Sequence, residues 1–206
     1  STRSGGAPSN TAKYSQPSNT LLGVSIERSR MTIIIKSPGE CSPEELELFT
    51  RLAREENEVQ SAGLPKRVER AKALAFLVED GNTIGIAALK RPYESYRACV
   101  FAKAKSTQDP GQFPYELGWV VIDEKHQGRK LSRALVEAVL SKCEGRHVFA
   151  TSATTRDRMH RTLSRFGFVR HGQEYPSSER GEQLFLFIRT NAQPPVAVDA
   201  PQAARR

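Results

Sequence analysis

The stretch ELGWVVIDEKHQGRKLSRALVEAVL, residues 116–140, decides how the chain is read. Glu116 to Asp123 is rich in β-branched and apolar residues and reads as a strand, and Glu124 to Lys130 reads as a polar turn. Leu131 to Cys143 then repeats Leu131, Leu135, Val139 and Leu140 at helical spacing, which predicts a helix with that face inward. A turn that carries Gln127-Gly128-Arg129-Lys130-Leu131-Ser132 from a strand into a helix aims unpaired backbone N–H groups outward, at the positive end of the helix dipole. That arrangement suits a phosphate or diphosphate. Arg129, Lys130 and Arg133 add full positive charge around it. The plainer reading of the same residues is an ordinary turn with a solvated basic surface.

Upstream, Thr32 to Lys36 is a short apolar run closed by Ser37-Pro38-Gly39, a buried strand. Ser42-Pro43-Glu44-Glu45 opens a helix with a capping box, and Leu46, Phe49 and Ala53 give it one apolar face as far as Gly63. A shorter helix runs from Pro65 to about Lys72. Ala75–Glu79 and Thr83–Leu89 are strands joined by Asp80-Gly81-Asn82, a hairpin signal because such residues tolerate positive φ. Between Lys90 and Pro114 the pattern is weak. Tyr96, Ala98, Val100 and Ala102 alternate, which suggests one more strand.

Downstream, Val148–Thr151 reads as a strand and Asp157–Phe166 as a helix stopped by Gly167. Phe168–His171 and Gln183–Ile188 finish as two strands around a polar loop at Pro176–Gly181. The sum is a mixed α/β domain over residues 31–190. Residues 1–30 and 191–206, rich in Ser, Gly, Pro, Ala and Gln, are expected to be disordered extensions, since they cannot bury enough apolar area to offset ordering entropy.

Composition narrows the class of function. In 206 residues no apolar run approaches the roughly 20 needed to cross a bilayer. Cys41, Cys99 and Cys143 lack metal-type spacing and are odd in number, which argues against a metal site or a disulfide framework and for a reducing cytoplasm. A net charge of +8 favours anionic company, whether nucleic acid, a phosphorylated cofactor or counter-ions.

Glu116–Asp123 followed by Gln127-Gly128-Arg129-Lys130-Leu131-Ser132 resembles the cofactor motif of the GNAT superfamily, N-acyltransferases that usually use acetyl-CoA. Leu163-Ser164-Arg165-Phe166-Gly167-Phe168 is similar to the family's helix ending in Gly-Phe, and the element order agrees from Thr32 to Arg189. The resemblance implies an α/β single domain with a mixed central sheet of about six to seven strands flanked by about four helices. It implies that backbone groups of Val120, Val121 and Ile122 bind the pantetheine arm. The amides of Gln127, Gly128, Arg129, Lys130, Leu131 and Ser132 would take the diphosphate of acetyl-CoA. A backbone N–H near Val120 would polarise the acyl carbonyl. Arg156, where the family has an asparagine at a helix start, joins the cofactor-binding set. Lys130 stands where the family usually has glycine, Ser132 where it has glycine or alanine, and Leu163 where many members have a tyrosine that protonates the leaving thiolate.

An ammonium group cannot attack a thioester, so a base must take its proton. Glu116 begins the central strand, where several family members carry a catalytic glutamate. His160, one turn before Leu163, is the acid candidate, with Ser164 and Tyr175 behind it. Arg158, Arg161 and Arg165 recur on one side of the last helix, for phosphates, for an anionic acceptor, or as a solvated basic face. The expected reaction moves an acetyl or short acyl group from acyl-CoA to a small-molecule, peptide or nucleic-acid-linked amine in a ternary complex. A nucleic-acid acceptor and a catalytically inactive CoA-binding homologue stand as alternatives, and a homodimer stays open.

Overall fold

Between β2 (Ala73–Glu79) and β3 (Asn82–Lys90) the chain turns on Asp80 and Gly81, at φ 49° and 83°. This is the left-handed pair that a two-residue hairpin needs. Asn82, expected in the turn, instead pairs with Glu79 and opens β3. The computed structural model describes residues 30–57, 63–177 and 181–190. The expected extensions before Arg30 and after Thr190 lie outside the described residues, as do 58–62 of the first helical region and 178–180 of the polar loop.

The other strands are β1 (Met31–Lys36), β4 (Tyr115–Ile122), β5 (Val148–Ala153), β6 (Val169–Pro176) and β7 (Gln183–Arg189). They form one seven-stranded sheet in the order β1-β2-β3-β4-β5-β7-β6. Every neighbouring pair is antiparallel except β4 and β5. The only parallel pair thus sits at the centre of the sheet.

Helix α1 (Pro43–Asn57) starts as the sequence predicts. Ser42 N–H donates to the Glu45 carboxylate at 2.9 Å and Glu45 N–H donates to Ser42 Oγ at 3.3 Å. With α2 (Leu64–Glu69) it lays Phe49, Ala53, Leu64 and Val68 onto Leu74, Phe76, Ile86 and Ala88 of β2 and β3. Helix α3 (Glu94–Lys103) continues this layer, packing Val100, Phe101 and Ala104 against Phe149, Leu186 and Ile188. Helices α4 (Leu131–Leu140) and α5 (Asp157–Arg165) cover the opposite face. There Leu135, Val136, Val139 and Leu163 meet Ala75, Leu77, Ala87 and Leu89.

Helix α3 replaces the strand expected from the alternation of Tyr96, Ala98, Val100 and Ala102. Its buried residues Val100 and Phe101, with Ala104 at its C-cap, follow the helical period, and the two periods overlap over so short a run. Phe101 settles the choice by meeting Phe149 edge-on at 5.4 Å between ring centroids. The described residues therefore hold five α-helices rather than about four.

Strand β6 breaks register between His171 and Tyr175. Gly172 sits in this break at φ 74°, where a Cβ would strike the Ala104 carbonyl oxygen. That oxygen accepts a 2.8 Å hydrogen bond from Gln173 N–H, fastening β6 to the end of α3. Beyond the break, Tyr175 is the one buried residue of β6. Replacing Gly172 with alanine combines left-handed strain with overpacking, so we expect Gly172→Ala to lose roughly 2–4 kcal/mol of stability. A urea titration checks this; a loss below ~1 kcal/mol would show that β6 yields freely at this point.

Candidate active site

Strands β4 and β5 share only three registered pairs: Tyr115 with Val148, Glu116 with Phe149, and Leu117 with Ala150. Both strands continue, β4 to Ile122 and β5 to Ala153, so beyond Leu117 they part and the facing edge of β4 has no strand partner. On its other side β4 stays paired with β3 through a bulge. Gly118 opposes Ala88 and Val121 opposes Ile86, which leaves Trp119 and Val120 across from Ala87 alone. Trp119 takes φ 50°, a costly conformation for so bulky a side chain. Its ring is held edge-on against Phe49 at 6.0 Å.

The wedge between the strands is a cavity of about 380 Å³. Glu116, only 2 % exposed, lines it. A carboxylate this deep requires partners. Lys90 Nζ stands 2.7 Å from its Oε1, and the Tyr96 hydroxyl donates to the same oxygen at 3.3 Å. The lysine reaches Glu116 by passing over Gly118, where any Cβ would meet its Cε and Nζ. Although 42 % of Tyr96 is exposed, its hydroxyl end turns inward. From the far wall, Ser152 and Tyr175 bring hydroxyls that are buried and hydrogen-bond to nothing among the described residues. Burial, reinforced by the negative charge of Glu116, pushes the hydroxyls of Tyr96 and Tyr175 well above the ordinary tyrosine range, so both stay protonated.

A second, more open cleft of about 890 Å³ runs along the turn before α4 and the start of α5. Val120, Ile122, Gln127, Gly128, Lys130, Leu131, Ser132 and Arg156 all line it, which brings most of the expected cofactor residues together. Arg133, Arg158, Arg161 and Arg165 line it too, so the basic stripe on α5 faces the basic turn. Gly128 and Lys130 both have positive φ, 82° and 61°. Lys130 therefore adopts the conformation glycine would supply, and the turn keeps its shape despite the substitution. Val120, Arg156 and Met159 line both cavities, so the two adjoin along these residues.

Two expected side chains, those of Arg129 and His160, are placed differently. The Arg129 guanidinium turns away from the cleft and pairs with both Glu79 oxygens, at 3.2 and 2.9 Å. His126 Nε2 joins the same carboxylate at 3.1 Å, so the turn is pinned to β2. The Val121 side chain packs with the α1 and α2 cluster on the other sheet face. His160 lines neither cavity: its Nε2 lies 3.0 Å from the Ala153 carbonyl oxygen and its ring packs on Phe185 and Phe187. Packing against these rings turns its imidazole toward β7. Leu163 lines the inner cavity as an apolar wall.

Sequence reasoning missed Lys90, Tyr96 and Ser152 and ranked Tyr175 low. Tyr93, Tyr96 and Cys99 line the inner cavity at the three-residue spacing of one helix face, a signal hidden by the alternating pattern. Nothing local in the sequence marks Lys90 or Ser152.

The model of the family described as "Acetyltransferase (GNAT) family" matches residues 40–168. Solved structures share the fold at low identity. An acyl-CoA N-acyltransferase from Pseudomonas aeruginosa is 15% identical, with a TM-score of 0.59 over 78% of this chain and 100% of its own. ElaA of Escherichia coli is 14% identical, with a TM-score of 0.58 over 78% and 99%. YncA of Salmonella typhimurium, solved with its cofactor acetyl-CoA, is 16% identical, with a TM-score of 0.55 over 85% and 100%. No curated protein matches the chain. Among the described residues no helix is long and apolar enough to cross a membrane.

The two tyrosines give the site a pH signature. Unfolded, a tyrosine ionises near pH ~10; folded, Tyr96 and Tyr175 hold their protons to higher pH. The stability this supplies is complete below pH ~10 and declines as pH rises above it. We expect Tm to fall between about pH 9 and 11, and to fall less steeply in Tyr175→Phe. Parallel Tm profiles for the two proteins would show that Tyr175 does not titrate abnormally.

Proposed function

The chain belongs to the acetyltransferase (GNAT) family, and from that premise we propose that it transfers an acetyl or short acyl group from acyl-CoA to an amine by direct attack in a ternary complex. The observation that carries this reading is that the two cavities share Val120, Arg156 and Met159. A basic cleft suited to phosphates adjoins a pocket with a buried carboxylate, beside an unpaired strand edge. These features fit acetyl-CoA: backbone edge for amides, buried hydroxyls lacking partners, and cations for phosphates. Acetyl-CoA would supply the acyl group as an activated thioester.

The chain's own residues divide the remaining work. The turn from Gln127 to Ser132, with Lys130, Arg133 and Arg156, holds the diphosphate through backbone amides and charge. The open edge of β4 from Val120 to Ile122 orients the arm. Glu116 takes the proton from the acceptor amine, directly or through a water, while Lys90 and Tyr96 fix its carboxylate. We assign the donor role to Tyr175 rather than His160. A hydroxyl that stays protonated in the cavity can donate to the sulfur as negative charge builds on it. The three free thiols support a cytoplasmic setting.

Glu116→Gln should lower kcat/KM by about 10²–10⁴ while leaving acetyl-CoA affinity within about twofold. Tyr175→Phe should lower kcat by roughly tenfold or more with little change in that affinity. Thiol-release kinetics and calorimetry read the two quantities separately. Unchanged turnover of Glu116→Gln across pH would remove Glu116 from the mechanism.

A further inference from the structure

The residues around the inner cavity are not neutral. Six cations and two carboxylates line it. Lys90 pairs with Glu116 at 2.7 Å, and Arg67, Lys103, Arg156 and Glu182 have contacts of their own. Arg70 and Arg91, at the C-cap of α2 and just after β3, carry the remaining positive charge. Arg70 is fixed in place there by stacking over the Tyr93 ring, 3.8 Å from its centroid. An acceptor must bring an amine to Glu116 past this rim. A polyamine or aminoglycoside would carry additional ammonium groups into a field of the same sign, whereas an acid group on the acceptor would be attracted.

Size and polarity narrow the class further. A cavity of about 380 Å³ must also admit the acyl end of the donor, which leaves room for an acceptor of amino-acid size. Ser152 and Tyr175, 6 % and 4 % exposed, line the cavity, and their buried hydroxyl oxygens have no partner among the described residues. Buried hydroxyls in this state accommodate a polar ligand better than an aliphatic one. Resting on the acyl-transfer reading above, we propose that the acceptor is a small primary amine bearing a carboxylate, phosphonate or phosphate. Its acid group lies toward Arg70 and Arg91 and its amine toward Glu116.

Matched amines test this with the full chain and acetyl-CoA, following thiol release. The acids are alanine, β-alanine, glutamate and 2-aminoethylphosphonate. Alaninamide, β-alaninamide, putrescine and spermidine serve as counterparts without an acid group, and pooled peptides and nucleic acids are run beside them. We expect at least one acid to exceed its amide by about tenfold or more in kcat/KM, with the preference shrinking as salt is added. In Arg70→Gln and Arg91→Gln the acid-to-amide ratio should collapse toward one, through KM rather than kcat. The salt dependence remains as a readout should either glutamine variant fail to fold. Equal or better use of the amides or polyamines, turnover confined to peptides or nucleic acids, or a ratio insensitive to salt and to both substitutions would overturn the inference while leaving acyl transfer intact. No thiol release with any amine would instead overturn the acyl-transfer reading itself.

Discussion

The site depends on one interruption: the parallel ladder between β4 and β5 stops after Leu117 and Ala150. Had it continued, the two strands would have filled their own backbone valences and closed the sheet. Stopped there, it leaves an unpaired edge in the interior of the domain, where an unpaired amide is costly unless a ligand or water satisfies it. The bulge at Trp119 and Val120 accompanies the parting, because an extra residue on one strand bends and twists it away from its neighbour. Phe49 and the surrounding α1 cluster hold the strained tryptophan in place, so the packing of one face maintains the opening on the other side of β4.

Electrostatics then separates the opening into two environments. The inner cavity holds a single deep carboxylate whose charge is balanced at contact by Lys90. A pair like this adds little net stability, but it fixes the position of Glu116 within the sheet. The outer cleft is lined by Lys130, Arg133, Arg156, Arg158, Arg161 and Arg165, with Asp157 the carboxylate among its described lining residues. The turn that begins this cleft is held from behind, since Glu79 binds both Arg129 and His126 and ties the turn to β2. Arg129 thus braces the turn from outside the cleft.

The pocket's other walls come from distant parts of the chain. Tyr96 arrives from α3 and Tyr175 from β6, and the two are linked through Gly172, whose close approach to Ala104 lets β6 dock on the end of α3. Leu163 supplies an apolar surface, and the tyrosine hydroxyls of the cavity lining come from outside α5.

The sequence by itself determined the strand–turn–helix from Glu116 to Leu140, the capped start of α1 and the hairpin at Asp80-Gly81, because these are set by neighbours within one or two turns. It also placed the basic turn and the arginines of α5, since period and charge are local properties. It did not determine α3, where helix and strand periods coincide over Tyr96–Ala102 until Phe101 packs on Phe149. Nor did it indicate that Arg129 would face Glu79, that His160 would lie against Phe185 and Phe187, or that Lys90 would reach across Gly118. Those outcomes were decided by tertiary structure alone, because a side chain's direction is chosen by partners roughly 25 to 50 residues away that no local pattern encodes.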